Sequence, residues 1–394
     1  MTKAIKYALF LILVNLQFAF SQPAIKFSET GLQAGFTKAK AENKPLLLMC
    51  YTSWCPHCKH MKSAVFTESS VADFYNSTFV CVAQDMEKGD GIKLKDSLKI
   101  ASFPTFIFYD SNGNTIYRVE GEFKPAAFID EGKSALTRKK QLPFLKQAFD
   151  NDVSNSTNCY TYVRALKKGG LDVSTVVNQY FATQSDKQLL SEVNWRIFAN
   201  GVSDFNSRTM QFVIHHQREF SDITSPERVK RKLDYEVKAL LNPLVETVDT
   251  IDYPIKRKLA AQIHSFSTDS LIFTYDLSMY ESTNKWEAYK ETCLLSAETF
   301  VWKNRTQLND ISSNFLTHIP DKKALEQAEQ WAQRSLALDP EYDTYLICAR
   351  IYQKLNNSQD AIKMAKKAKD LSVKFGWEGT ESEKLLKELN SPVQ

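Results

Sequence analysis

The chain has 394 residues, 50 of them basic and 46 acidic, for a net charge of +4. A balance this close, with no block of like charge, gives no sign of a nucleic-acid surface. Seven cysteines in a chain of this length are also too few for a disulfide scaffold.

Lys3 and Lys6 precede an apolar run over 8–20, interrupted only by Asn15 and Gln17, and Ala19 and Ser21 supply the small residues of a cleavage site. This pattern predicts a signal peptide over 1–21 and a mature chain starting near Gln22. The 13-residue run is too short to span a bilayer comfortably, and no cysteine follows it to carry a lipid. No later segment approaches the length of a membrane helix. The expected protein is exported (periplasmic or secreted), soluble, and without a stable membrane span.

Downstream, 31–43 reads as a helix and 45–51 as a short buried strand. Next comes Trp54-Cys55-Pro56-His57-Cys58, opening a helix to about residue 66. A cysteine at a helix N-terminus faces unpaired N–H groups and the positive end of the dipole, both favouring the thiolate. Cys58, one turn later, is placed to attack any mixed disulfide formed by Cys55. Other uses of the motif fit less well. A c-type haem site needs His immediately after the second Cys, where Lys59 stands. A structural zinc site needs a second ligand pair, and His57, His60, Cys50 and Cys81 do not form one. No metal and no other cofactor is expected. Cys50, Cys81, Cys159, Cys293 and Cys348 read as small buried hydrophobes, with a cross-link among them left open.

Thr67 to Ser70 signals a helix start before 71–75; 79–83 is a second buried strand and 92–98 a helix. Strands over 105–109 and 114–120 flank Asn112-Gly113, a hairpin turn, and Pro125 opens a helix to about 136. Helices alternating with strands and ending in a hairpin predict a mixed sheet covered on both faces.

Two features together, the Trp-Cys-Pro-x-Cys run after a strand and Phe103-Pro104-Thr105 opening the hairpin, resemble the thioredoxin fold. Lys59 to Lys62, Val65-Phe66, Val71 and Asp85 to Glu87 are similar to the periplasmic thiol–disulfide interchange type. The resemblance covers roughly 26–138. It implies that Pro104 is cis and lies against the redox pair, that Cys55 attacks and Cys58 resolves, and that the two can form a disulfide. It also implies a substrate groove lined by Trp54, Phe103, Pro104 and Thr105, with Trp54 as an apolar contact surface or else an ordinary core aromatic. Pro56 and His57 would tune the pair. Such proteins keep a buried acid six positions before the first cysteine; Met49 stands there.

After 140 glycine becomes sparse and helical periodicity runs to the end, with helices expected at 142–150, 158–168, 173–183, 187–199, 205–217, 226–245, 254–266, 284–300, 322–337, 342–355, 358–374 and 380–389. Ala328 and Ala332 recur as Ala361 and Ala365, an offset of 33, and Leu338-Asp339-Pro340 closes a helix, as in tetratricopeptide repeats. The expected organisation is therefore a signal peptide (1–21), a thioredoxin-like α/β domain (22–140), a helical domain of unknown type (141–320) and tetratricopeptide-like helices (321–394).

The functional expectation is an exported thiol–disulfide oxidoreductase acting on client protein thiols and disulfides, with an unidentified redox partner and with C-terminal helices holding a protein or peptide. His57 tilts the pair toward oxidation and the interchange-type resemblance tilts it toward reduction, so direction is open. The alternative is a helical-repeat scaffold carrying a vestigial thioredoxin-like domain.

Overall fold

The structure, a computed structural model, describes residues 24–28 and 31–391; the predicted signal peptide lies outside them. Its first elements are α1 (Leu32–Glu42), β1 (Leu46–Tyr51), α2 (Pro56–His60), α3 (Ser69–Thr78), β2 (Val80–Asp85), α4 (Gly91–Ser97), β3 (Thr105–Tyr109), β4 (Thr115–Glu120) and α5 (Pro125–Leu136). The strands order as β2-β1-β3-β4. β1 runs parallel to β2 and antiparallel to β3, and β3 and β4 form the expected hairpin. In its turn Gly113 takes φ +86°, and the Asp110 carboxylate accepts from the backbone N–H groups of Asn112 and Asn114.

Strand alternation sorts the apolar side chains onto two faces. Leu47, Met49, Phe106 and Phe108 pack on one side with residues of α2, α3 and α5, while Leu46, Leu48, Cys50 and Ile107 meet α1 and α4 on the other. The first face is rich in aromatic rings. Phe128 of α5 stacks on Tyr75 at 4.5 Å and also meets Phe66, Phe106 and Phe123. The Tyr75 hydroxyl donates to the Phe128 carbonyl at 2.6 Å. Phe66 ends the segment that begins at Cys55, so this cluster anchors the far end of the CPHC helix. That segment is not one uniform helix: after His60 it widens into a π-type turn, Met61–Val65.

The helical region comprises α6 (Leu142–Asn151), α7 (Ser156–Lys168), α8 (Ser174–Ala182), α9 (Asp186–Leu189), α10 (Glu192–Gly201), α11 (Arg208–His215), α12 (Gln217–Ile223), α13 (Pro226–Glu246), α14 (Asp252–Ala260), α15 (Phe266–Ser282), α16 (Trp286–Val301), α17 (Arg305–His318), α18 (Lys322–Leu338), α19 (Tyr342–Lys354), α20 (Ser358–Phe375) and α21 (Thr380–Asn390). α15 and α17 were not expected from the sequence. The chain turns at His264 (φ +50°) and Ser265 caps the Thr268 N–H, so the helix expected over 254–266 ends early and a new one starts. In α17 a Ser/Asn-rich stretch of weak propensity is held by the Asn304 cap and by buried Leu308, Ile311 and Phe315. The helix expected over 187–199 breaks where Ser191 caps α10.

The chain divides into two compact units, one running to Val213 with Asp222–Thr224, the other comprising Ile214–Ser221 and the chain from Ser225 on. The first unit continues past residue 140 because α7 and the turn after it cover strand β4. Lys168 reaches both oxygens of Glu131 at 2.7 Å and the Tyr117 hydroxyl at 3.0 Å. Gly170, at φ +64°, passes so close to the Glu120 carboxylate that a Cβ would lie 1.9 Å from it. In the second unit α18 to α21 pack each on the next, and Ala328, Ala332, Ala361 and Ala365 are all fully buried where those helices meet.

Phe128→Ala removes the ring on which four others converge and should destabilise the first unit by about 3–5 kcal/mol. Chemical denaturation followed by near-UV circular dichroism checks this; an unchanged midpoint would contradict it.

Candidate redox site

β1 delivers the chain, through Thr52 to Trp54, to Cys55, which is the N-cap residue of α2 with Pro56 at the first helical position. The Cys58 backbone N–H donates to Cys55 Sγ at 3.2 Å. The sulfur thus occupies the place where a capping oxygen usually stands, and the geometry favours an anion there. Both cysteines are buried, Cys55 at 3% exposure and Cys58 at 1%. All seven cysteines are free thiols in this structure.

Burial, and then the hydrogen bond with Cys55, push the Cys58 thiol up to about 12, while a backbone hydrogen bond from Thr52 and the Lys62 charge act the other way. Met49, at the position where an acid was sought, is a fully buried strand residue paired with Ala83 and Phe106. The Thr52 hydroxyl is buried beside this turn without a hydrogen-bond partner.

Pairing of Cys50 with Thr105 across β1 and β3 brings the start of β3 alongside the turn that carries the cysteines. The Phe103–Pro104 peptide bond is cis. Cys55 Sγ donates to the Phe103 carbonyl at 3.5 Å. Thr105 is buried and its hydroxyl donates to the Ser102 carbonyl at 2.7 Å, tightening the bend. Trp54 is 60% exposed, so it is not a core aromatic. Its indole N–H donates to Glu87 at 2.9 Å and its ring stands edge-on to Phe103 at 6.3 Å. The sequence-expected residues Trp54, Cys55, Pro56, His57, Cys58, Phe103, Pro104 and Thr105 thus lie on three adjoining segments.

His57 has a partner that the sequence did not suggest. Glu122, on the loop between β4 and α5, meets His57 Nδ1 with one oxygen and His60 Nδ1 with the other, each at 2.5 Å. The hydrogen bond from His57, then the charge of His60, holds the Glu122 carboxyl below the usual carboxylate range. Pattern reading missed Glu122, which belongs to no motif, and it missed the contact of Glu87 with Trp54, although Glu87 lies in one of the runs that carry the resemblance. Among the described residues, no cluster of three or more His, Cys, Asp or Glu is arranged to hold a metal ion.

Residues 32–135 match the family described as thioredoxin-like domain. The N-terminal region is a thioredoxin-like domain. Two of its relatives are thiol:disulfide interchange proteins DsbD. That of Yersinia pestis (strain Pestoides F) is 30% identical over 94 residues, which are 23% of this chain and 16% of the relative. That of Vibrio vulnificus (strain CMCP6) is 29% identical over 103 residues, 25% of this chain and 17% of the relative. The chain thus spans about one sixth of the length of these relatives. Among solved structures, a protein described as a disulphide-isomerase from Bacteroides thetaiotaomicron is 33% identical, with 29% of this chain and 94% of that one covered and a TM-score of 0.28.

Burial also pushes Cys50, Cys81, Cys159 and Cys348 up to about 12, and Cys293 higher still. Thiols raised this far stay protonated and unreactive at neutral pH. Iodoacetamide at pH 7.5 should therefore add one group to the reduced native protein, at Cys55. Mass spectrometry showing first modification at any other cysteine would contradict the site geometry.

Proposed function

We propose that this protein is an exported thiol–disulfide oxidoreductase whose helices hold client or partner proteins while Cys55 and Cys58 exchange disulfides with them. The observation that carries the reading is the 3.2 Å contact from the Cys58 N–H to Cys55 Sγ at the start of α2. It supports Cys55 as the nucleophile, because an accepted N–H bond at a helix start stabilises the thiolate relative to the thiol. The interchange relatives support the same chemistry class. The apolar run over 8–20 supports export. Among the described residues no helix is long and apolar enough to cross a membrane.

The reaction balances in two exchanges. The Cys55 thiolate attacks one sulfur of a client disulfide; that S–S bond breaks, and the leaving client thiolate takes a proton from solvent. Cys58 then loses its proton to solvent and its thiolate attacks Cys55 Sγ in the mixed disulfide, freeing the second client thiolate, which takes up a proton in turn. Two electrons and two protons have passed to the client, and Cys55–Cys58 is oxidised. The same steps in reverse oxidise a client dithiol. Trp54 and Phe103 offer apolar surface beside the sulfur to a client chain. Repeated buried alanines in α18 to α20 support a tetratricopeptide-like stack as the client- or partner-holding part.

Two variants test the reading. Cys58→Ala cannot resolve the mixed disulfide and should accumulate a reductant-sensitive adduct with a disulfide-containing protein such as insulin. Cys55→Ala should form none. The wild-type protein with dithiothreitol should precipitate insulin at least about tenfold faster than the double variant, within the range that an activated thiol supplies. No adduct and no acceleration would favour a scaffold with an idle pair.

A further inference from the structure

The Pro56-His57 dipeptide lies inside a polar clamp. His57 and His60, three residues apart on one face of α2, both present Nδ1 to Glu122 at 2.5 Å. Glu122 is itself fixed from two sides. The N–H of Gly121 donates to the Pro104 carbonyl at 2.9 Å, and the N–H of Phe123 approaches Met61 Sδ at 3.3 Å. The carboxylate is therefore tied to the same two segments that flank Cys55, the Phe103–Pro104 bend and the CPHC helix. The loop does not wander from this position without breaking both bonds.

A carboxylate bound to the histidine that stands between the two cysteines brings negative charge to the motif, and negative charge there opposes thiolate formation and so destabilises the reduced form of the pair. A less stable dithiol makes a less oxidising disulfide. From this geometry we infer that Glu122 is a positioning residue of the redox site. It captures both imidazoles at Nδ1 and brings a fixed negative charge that keeps the disulfide less oxidising than Pro56-His57 alone would make it. The inference rests on the redox reading proposed above and supplies what that reading leaves open, a bias in direction toward reduction. The segments that meet here, 55–62 and 120–124, also carry Cys55, Cys58, Lys59, Lys62, Glu120 and Lys124 as titratable groups. These are unchanged in the comparison below, so the difference isolates Glu122.

The test is equilibration of the full-length protein with glutathione buffers at pH 8, where a free carboxyl is fully ionised and Glu122→Gln removes one negative charge. Glu122→Gln should make the pair about threefold more oxidising, roughly 14 mV for a two-electron couple. Glu122→Asp, which keeps the charge, should stay close to wild type. Because both histidines are more than half exposed, the shift should fall away at 1 M potassium chloride. A shift that survives high salt would mark a merely structural latch and overturn the inference, as would no shift or one of opposite sign. A wild-type protein that forms no reversible disulfide in these buffers would instead remove the redox reading itself, and the inference with it.

Discussion

The architecture of the site depends on one contact, a helix that begins on a sulfur atom. Cys55 has extended backbone and its side chain takes the N–H that a serine or aspartate oxygen would usually take. This does two things at once. It satisfies an otherwise unpaired donor of α2, and it places the sulfur where partial positive charge is densest. Cys58 is fixed by the same bond, since the donated N–H is its own. The asymmetry of the pair follows: the first sulfur is a cap, and the second is a core side chain whose thiol burial holds high.

Everything around this contact serves to keep it in register. The parallel β1–β2 pairing and the antiparallel β1–β3 pairing fix where the turn after Tyr51 emerges, and β3 begins beside it. The aromatic cluster around Phe128 holds the end of the helical segment through Phe66. The loop carrying Glu122 closes the remaining side through Pro104 and Met61. Rigid secondary structure thus supplies the frame, and short polar contacts between three loops set the electrostatics within it. The helices from α6 onward begin as a cover for β4, whose outer edge would otherwise be open to pairing.

Much of this was legible in the sequence, for identifiable reasons. The strands appeared as short apolar runs bounded by turn residues, and Asn112-Gly113 named its own hairpin. The cysteine pair declared itself by spacing alone. Phe103-Pro104-Thr105 became meaningful only through resemblance, because a proline before a strand has no chemistry of its own. Glu122 was illegible, since its bond to His57 joins residues 65 positions apart and only the folded sheet brings them together. The bond from Trp54 to Glu87, 33 positions away, was hidden in the same way, although Glu87 itself lies in a run that carries the resemblance. α15 and α17 escaped because β-branched, aromatic and Ser/Asn-rich stretches carry weak helix propensity, which packing and caps at Ser265 and Asn304 overrode.

The central claim is that these two sulfurs, and no others in the chain, form a reversible bond. Peptide mapping of the protein after mild oxidation tests it most directly. The account predicts a loss of two hydrogens confined to the peptide that contains Cys55 and Cys58, restored by dithiothreitol, with the remaining five cysteines still reduced. A disulfide joining either residue to a different cysteine, or both still free under conditions that oxidise glutathione, would contradict it.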